Sequence, residues 1–357
     1  MTKKPPPIKG RGALSNAGGR FELHAHEAFD DGWNADDLEP AAPGVTVTID
    51  SARTALTYND SPDIGFDRSI NAYRGCEHGC IYCFARPTHA YLGLSPGLDF
   101  ETRLFAKPNA AVLLEKELRH RNYVCRPIAL GTNTDPYQPI ERQWRITRQI
   151  LEVLAAFSHP VTILTKSARI ERDIDILAPM AARHLVEVRL SVTTMDSQLA
   201  RRLEPRATAP LRRIEVIKNL NDAGIPTGVM IAPIIPVLTD PEMEDILEAC
   251  VKAGAQSAGY VMLRLPLEVK DLFKEWLAVH EPLKAEHVMS LVRGARGGKE
   301  NDPHFSTRMV GTGPYADLIA QRFTLACKKF HLNKVRERLN TSRFRTPQPD
   351  TGQLTLF

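Results

Sequence analysis

The chain has 357 residues, 43% hydrophobic and 25% charged, enough apolar material for a sizeable core and too much for a disordered protein. With 46 lysines and arginines against 42 aspartates and glutamates, the net charge of +4 is too small to diagnose nucleic-acid binding from the total. The opening MTKKPPPIK lacks the apolar run of a signal peptide, and no stretch is long enough to span a bilayer, so a cytoplasmic protein without a membrane partner is expected.

Residues 1–65 are rich in Pro, Gly, Asp and Asn and read as an N-terminal extension wrapped on the core, with an acidic run at 27–39 and one strand at 45–49. Residues 66–280 then alternate between β-rich runs and stretches of helical period. Strands are expected at 69–73, 128–132, 161–165, 186–192, 228–235 and 259–263. Helices are expected at 109–119, 142–157, 170–182, 211–223 and 242–253, the last two closed by Gly224 and Gly254. Residues 281–357 read as a C-terminal helical extension with a basic tail. Between 321 and 346, Arg322, Lys328, Lys329, Lys334, Arg336, Arg338, Arg343 and Arg345 face a single acid, Glu337, which suits either a solvated face or phosphate contacts.

Repeated β/α alternation implies a parallel sheet. Units of roughly 35 to 40 residues fit an α/β partial (β/α)6 TIM-like barrel better than a closed eight-fold one, with a doubly wound sheet as the alternative. Either way, reactive groups belong at the C-terminal strand ends. Here those ends run into Cys76, into Thr132-Asn133-Thr134-Asp135-Pro136, into Thr165-Lys166-Ser167, into Ser191-Val192-Thr193-Thr194 and into Ala232-Pro233.

Three of the six cysteines, Cys76, Cys80 and Cys83, lie in one run spaced C-x3-C-x2-C, with Gly75 and Gly79 allowing the loop to bend. Three thiolates on a four-iron cubane leave one iron free for a substrate, as open positions do in catalytic metal sites. A zinc site completed by His78 or His89, or buried cysteines with no metal, are the competing readings. Zinc sites, however, pair C-x2-C units or add a His-x3-His element, and neither is present. Tyr82, just before the third cysteine, suits ordinary packing or a position against an adenine ring.

These residues resemble the radical S-adenosylmethionine superfamily, whose members carry this motif on the loop after the first strand of a partial (β/α)6 barrel. Residues 76–91 together with Thr132-Asn133-Thr134-Asp135-Pro136 are similar to its spore photoproduct lyase-like group of DNA repair photolyase-like proteins, a resemblance spanning roughly residues 66–265. The resemblance implies a radical enzyme with a [4Fe-4S] cluster on Cys76, Cys80 and Cys83. That cluster would reductively cleave S-adenosylmethionine to a 5'-deoxyadenosyl radical, which abstracts hydrogen from an unknown substrate, DNA or a nucleotide being the candidate. An electron donor such as flavodoxin or ferredoxin is implied as well.

Carried over by motif, Thr132 and Asn133 would meet the methionine end of the cosubstrate. Lys166 and Ser191 would line its site, and the backbone at Ala232 would contact adenine. Each has a plainer reading: an exposed cation leading a helix for Lys166, a strand-end hydroxyl for Ser191, a rigid proline turn after Ala232. One departure stands out. Spore photoproduct lyases place a hydrogen-donating cysteine just before the Thr-Ser-Asp-Pro stretch, where this chain has Gly131. Cys125, Cys250 and Cys327 fit packing positions, and Tyr137 is a candidate donor, although a tyrosine there is more often structural.

Arg86-Pro87-Thr88-His89, Glu204-Pro205-Arg206 and residues 293–298 could line a substrate mouth, but loops of this composition are usually solvated, with His89 more often a surface or capping residue than a ligand and Glu204 opening the fourth helix. A different class of function, a metal-stabilised nucleic-acid-binding or redox-sensing protein, remains the alternative.

Overall fold

The computed structural model describes residues 7–21, 44–334 and 338–348; the acidic run 27–39 lies outside them, as do Arg336 and Glu337 of the basic segment. Among the described residues ten strands follow in chain order: β1 (Thr46–Ile49), β2 (Thr57–Tyr58), β3 (Arg68–Ile70), β4 (Tyr73–Arg74), β5 (Arg103–Ala106), β6 (Ile128–Leu130), β7 (Val161–Thr165), β8 (Val186–Ser191), β9 (Thr227–Ile234) and β10 (Ser257–Met262). Seven form one sheet in the order β10-β9-β8-β7-β6-β3-β2. The pairs from β3 to β10 are parallel and β2 is antiparallel at the edge. Among the described residues β10 pairs with β9 alone, so the barrel is open between its first and last strands.

Burial alternates along these strands. Val161, Ile163 and Thr165 of β7 are buried beneath the helices, whereas Thr162 and Leu164 are half-buried and face the lumen. In β8 Val186, Val188 and Leu190 are buried, and Glu187 and Arg189 are half-buried on the face that continues to Ser191. Period-two placement therefore carries Lys166 and Ser191 to the C-terminal ends of these strands on the half-buried face.

Outside the sheet, the helix Pro210–Asp222 buries Pro210, Arg213, Val216, Ile217 and Leu220, one stripe at helical spacing. The expected helix at 142–157 is two pieces, Glu141–Trp144 and Ile146–Ala156, because Arg145 turns left-handed (φ 50°). The Glu141 carboxylate then accepts the N–H groups of Thr147 (3.1 Å) and Arg148 (3.4 Å), capping the second piece. The expected helix at 170–182 begins as a 3-10 turn, Ala168–Asp173, before Ile174–Ala181. Glu204 does not open the helix at Pro210; it closes a short helix, Ser197–Leu203, that periodicity did not reveal.

The expected strand at 69–73 also divides. β3 stops at Ile70, Asn71 turns its amide to the loop after β6, and Tyr73 and Arg74 join a second sheet of order β1-β5-β4. The cysteine loop thus leaves from β4 rather than from a barrel strand. Helices Val269–His280 and Ala285–Gly294 roof it, packing Phe273, Trp276 and Val288 against Ile81, Tyr82 and Leu203. No helix among the described residues is long and apolar enough to cross a membrane.

The basic C-terminal segment is docked. Arg322 forks onto Glu244 (2.8 and 2.6 Å), and Phe344 enters an aromatic group with Tyr123 (5.5 Å), His159 (5.5 Å) and Phe157 (6.3 Å). Ring pairs of this kind contribute about 1 kcal/mol beyond burial. Phe344→Ala is expected to release the tail, so that trypsin cuts at Arg343 and Arg345 about tenfold faster in limited proteolysis while the rest of the chain resists.

Candidate functional site

The loop that carries Cys76, Cys80 and Cys83 is bent by two glycines in left-handed conformation, Gly75 (φ 74°) and Gly79 (φ 67°). A Cβ on Gly75 would lie 2.7 Å from Leu104 and one on Gly79 2.7 Å from the Glu101 carboxylate, so neither position has room for a side chain. Main-chain bonds tie the loop down from several sides: Cys76 N–H to Phe100 O (2.9 Å), Ile81 N–H to Leu203 O (3.1 Å) and Cys83 N–H to Cys80 O (3.2 Å). Gln138, from the loop after β6, accepts the Glu77 N–H (2.9 Å) and donates to Gly75 O (3.2 Å).

Arg86 is the buried brace of this loop. Its guanidinium donates to the carbonyls of Cys80 (2.9 Å), Gly79 (3.0 Å), Pro96 (3.0 Å) and Gly97 (2.9 Å) and pairs with Glu101, all without exposure to solvent. The same carboxylate accepts the N–H groups of Gly12 (3.0 Å) and Ala13 (2.8 Å), so the N-terminal segment is strapped over the back of the loop. A Cβ on Gly12 would come within 1.9 Å of the Gly79 carbonyl oxygen.

On the lumen side a second buried carboxylate, Glu204, gathers the strand ends. Arg213 donates one guanidinium N–H to it and the others to Ser191 O (2.9 Å) and Thr208 O (2.6 Å), while Tyr82, Thr193 (2.7 Å) and Lys166 (3.3 Å) reach it as well. Burial opposes its ionisation, but Arg213 and Lys166, with the Tyr82 and Thr193 hydroxyls, outweigh that and hold the carboxyl well below the ordinary range. The Lys166 ammonium donates in addition to Ser191 and to the Ala232 carbonyl (3.1 Å) and sits 5.8 Å above the Tyr82 ring. Asp135 accepts the Thr165 hydroxyl (2.7 Å) and the Lys166 N–H (2.7 Å) and lies 3.4 Å from His78, whose pKa burial lowers.

The structure therefore gathers Tyr82, Lys166, Ser191 and Ala232 into one network. Thr132 and Asn133 stand beside it, ordered by Asn71, which donates to the Thr132 hydroxyl (3.0 Å) and accepts the Asn133 N–H (3.0 Å). The Tyr82 side chain is buried with its hydroxyl on Glu204. His89 is no surface residue: it is fully buried, bonded to Arg103 O (2.9 Å) and edge-on to Phe100. Tyr137 is fully buried, with Arg172 over its ring at 5.9 Å.

Glu204 and Arg86 read as parts of solvated loops and prove to be fully buried organisers, while Arg213 and Gln138 belong to no motif. A signal existed for Arg213, a charge on the buried stripe of its helix, since buried arginines are rare without a partner. A cavity of about 300 Å³ at the opposite ends of the strands, lined by His184, Glu187, Arg189, Thr227, Ser257 and Arg338, shares none of these residues.

Three thiols are donors of the kind an iron–sulfur centre uses. Burial pushes all three thiols upward, with Asp135 adding to it at Cys76 and Glu204 at Cys80, so they ionise readily only against added positive charge. Among the described residues no group of three or more His, Cys, Asp or Glu side chains is arranged around a single ion. His78 and His89 each turn a ring nitrogen away, to Asp135 and to the Arg103 carbonyl.

Glu204→Gln leaves Arg213 and Lys166 without their carboxylate, and breaking such a buried pair costs about 3 kcal/mol or more. Because the folded pKa is depressed, the stabilisation is fully present above the unfolded value of about 4.3 and is lost as pH falls below it. Urea unfolding is expected to show the variant much weaker than the parent at pH 7, with the gap narrowing below about pH 4.

Comparison with known proteins converges on one family. Residues 70–250 match the model of the Radical SAM superfamily. The uncharacterized protein Rv2578c of Mycobacterium tuberculosis is 36% identical over 259 residues, 71% of this chain and 76% of that one. The uncharacterized protein MJ0683 of Methanocaldococcus jannaschii is 30% identical over 173 residues, 48% and 62% of the two chains. Among solved structures, spore photoproduct lyase complexed with dinucleoside spore photoproduct superposes with a TM-score of 0.59 at 14% identity, covering 80% of this chain and 79% of that one. A doubly substituted mutant of that lyase, with bound AdoMet and dinucleoside spore photoproduct, gives 0.56 at 14% identity over 80% and 78%. At that identity the likeness establishes the shared fold, the partial barrel. The cysteine loop at one end of an open parallel barrel and the family match over its strands together place the chain among the enzymes of the radical S-adenosylmethionine superfamily.

Proposed function

We propose that Cys76, Cys80 and Cys83 hold a [4Fe-4S] cluster and that S-adenosylmethionine binds beside it over Lys166, Ser191 and Ala232. The observation that carries the reading is the meeting of the cysteine loop and the strand ends through Tyr82 and Glu204. Reduced by a donor such as flavodoxin or ferredoxin, the cluster would supply one electron to S-adenosylmethionine, giving methionine and a 5'-deoxyadenosyl radical that takes hydrogen from the substrate.

The chain's own residues do the rest. Gly75 and Gly79 let the loop fold its thiols inward, and the Arg86–Glu101 pair keeps it there. Lys166 presents a cation held by Glu204 to the carboxylate or the ribose of the cosubstrate, and Ser191 and the Ala232 carbonyl offer hydrogen-bonding positions next to it. Exposed Asn133, on the loop templated by Asn71, suits the methionine end. The roof of Phe273, Trp276 and Val288 shuts water from the loop. The substrate is a compound with an abstractable hydrogen, a nucleotide or a piece of nucleic acid being the class we favour.

The test is chemical. Protein purified without oxygen, reconstituted with iron and sulfide and reduced with dithionite is expected to form 5'-deoxyadenosine from S-adenosylmethionine, measured by liquid chromatography. Cys80→Ala should fall to the level of the protein-free control. No product from a fully loaded cluster would end the proposal.

A thiol cannot be restored at Gly131. Its φ is 88° and a Cβ would lie 2.0 Å from the Leu164 carbonyl oxygen, a main-chain atom with little freedom to yield. Gly131→Cys is expected to lose at least about 1 kcal/mol of stability, seen as a lower melting temperature, rather than to gain hydrogen-donor activity.

A further inference from the structure

Beyond β10 the chain continues through Leu263 to Arg264, at the same rim as the cysteine loop. The Arg264 guanidinium carbon lies 5.6 Å from the ring centroid of Phe84, the residue that follows Cys83. Two other arginines act on it electrostatically, and both have their hydrogen bonds met. Arg308 forks onto Asp63 (2.7 and 2.6 Å), and Arg296 donates to the carbonyls of Thr307, Arg308, Met262 and Leu263. Arg264 is different. Among the described residues its Nε is buried with no acceptor, and its Nη1 faces the sulfur of Met309 at 3.6 Å, a weak acceptor. Burial, then Arg308 and Arg296, lower its pKa to about 10, offset only in part by Asp63, which Arg308 already holds. Arg264 therefore stays charged at neutral pH, and among the described residues it has no carboxylate of its own.

A half-buried cation without an anionic partner, set against other cations, is a costly arrangement unless an anion arrives. The surroundings indicate what kind of anion. Phe84 is 47% exposed and Phe305 50% exposed, and Arg308 lies 4.7 Å from the Phe305 ring centroid. Open aromatic faces interleaved with arginines bind a ring and its phosphate together: bases stack on such faces for about 1 to 3 kcal/mol each, and guanidinium forks match phosphate oxygens. A lone carboxylate would use the fork and leave the rings bare.

We propose that Arg264 and Phe84 form a phosphate subsite for the substrate, with Arg264 binding the phosphate of a nucleotide-like molecule and Phe84 stacking on its ring. The inference rests on the reading of this rim as the place where the substrate meets the cosubstrate, and it adds the two residues that would select the substrate there. Arg264 is a specificity residue in this account; it takes no part in the cleavage of S-adenosylmethionine.

The experiment is a binding measurement on the reconstituted, unreduced full-length protein, by equilibrium dialysis at fixed ionic strength. The probes are thymidine 5'-monophosphate, inorganic phosphate and acetate. Thymidine 5'-monophosphate is expected to bind more tightly than inorganic phosphate, and acetate not measurably. Arg264→Gln should weaken both phosphate probes at least about tenfold, and Arg264→Lys, which keeps the charge but not the fork, by less. Phe84→Ala should weaken the nucleotide and leave inorganic phosphate unchanged. Circular dichroism of each variant separates loss of binding from loss of fold, and Arg264→Lys carries the test if Arg264→Gln does not fold.

Equal binding of the phosphate probes by the parent and a folded Arg264 variant overturns the assignment, as does the absence of binding by the parent. Acetate bound as tightly as phosphate would overturn the phosphate specificity. Because no turnover is involved, this measurement stands or falls apart from the 5'-deoxyadenosine assay. Product formation without phosphate binding sinks the subsite alone, and binding without product sinks the radical reading alone.

Discussion

A carboxylate taken out of water stays ionised only where fixed positive charge and hydrogen bonds offset its lost hydration. Glu204 is such a carboxylate, and the strand-end rim is organised around it. Arg213 comes from the helix behind β8, Lys166 from the end of β7, Thr193 from beyond β8, and Tyr82 from the cysteine loop. Each group is held by the others, so the position of Lys166, and with it the Ser191 and Ala232 acceptors, depends on one buried charge rather than on loop geometry alone. A rim built this way is ordered before any ligand arrives, which reduces the ordering cost of binding.

The loop itself is fastened on its other side by a second buried pair, Arg86 with Glu101. The two anchors differ in what they grip. Arg86 directs four of its hydrogen bonds to main-chain carbonyls, which fixes the course of the backbone, while Glu204 takes a side chain, Tyr82, which fixes where that backbone meets the barrel. The N-terminal strap completes the first anchor by giving the Glu101 oxygens the N–H groups of Gly12 and Ala13. A segment read as an extension wrapped on the core is thus part of the cysteine loop's support, and its glycine is required by contact with Gly79.

Much of the fold was legible because parallel strands bounded by helices leave a strong periodic record; the strand at 161–165 coincides with β7, and the fold class and family hold. The features that escaped have local causes. Arg145 breaks a helix without glycine or proline, through a left-handed turn after which the Glu141 carboxylate caps the second helical piece. β3 ends early because Asn71 is needed as a template for the loop after β6. At the rim, residues on a motif, such as Lys166 and Ser191, could be named from the chain, whereas Glu204 and Arg86 sit in turns of ordinary composition and gain meaning only from partners 9 and 15 positions away. His89 reads as a surface residue because a single histidine carries no periodic signal, yet Gly75 and Phe100 close over it.

Gly131 limits which side chains can stand at the end of β6. β6 and β7 approach so closely at this point that the Leu164 carbonyl occupies the space of a Cβ, and the backbone is left-handed besides. The glycine is therefore built into the meeting of the two strands, not a bare deletion of a donor that another side chain could replace. Cys125 lies before β6 and Cys250 and Cys327 are buried in helices, so they do not supply the missing thiol at the rim. Tyr137, two residues past Asp135, is sealed beneath Arg172. If a radical is formed over Lys166 and Ser191, the hydrogen that quenches the substrate comes from a group other than a side chain at the end of β6, and the chemistry parts there from that of a lyase relying on a cysteine at this place.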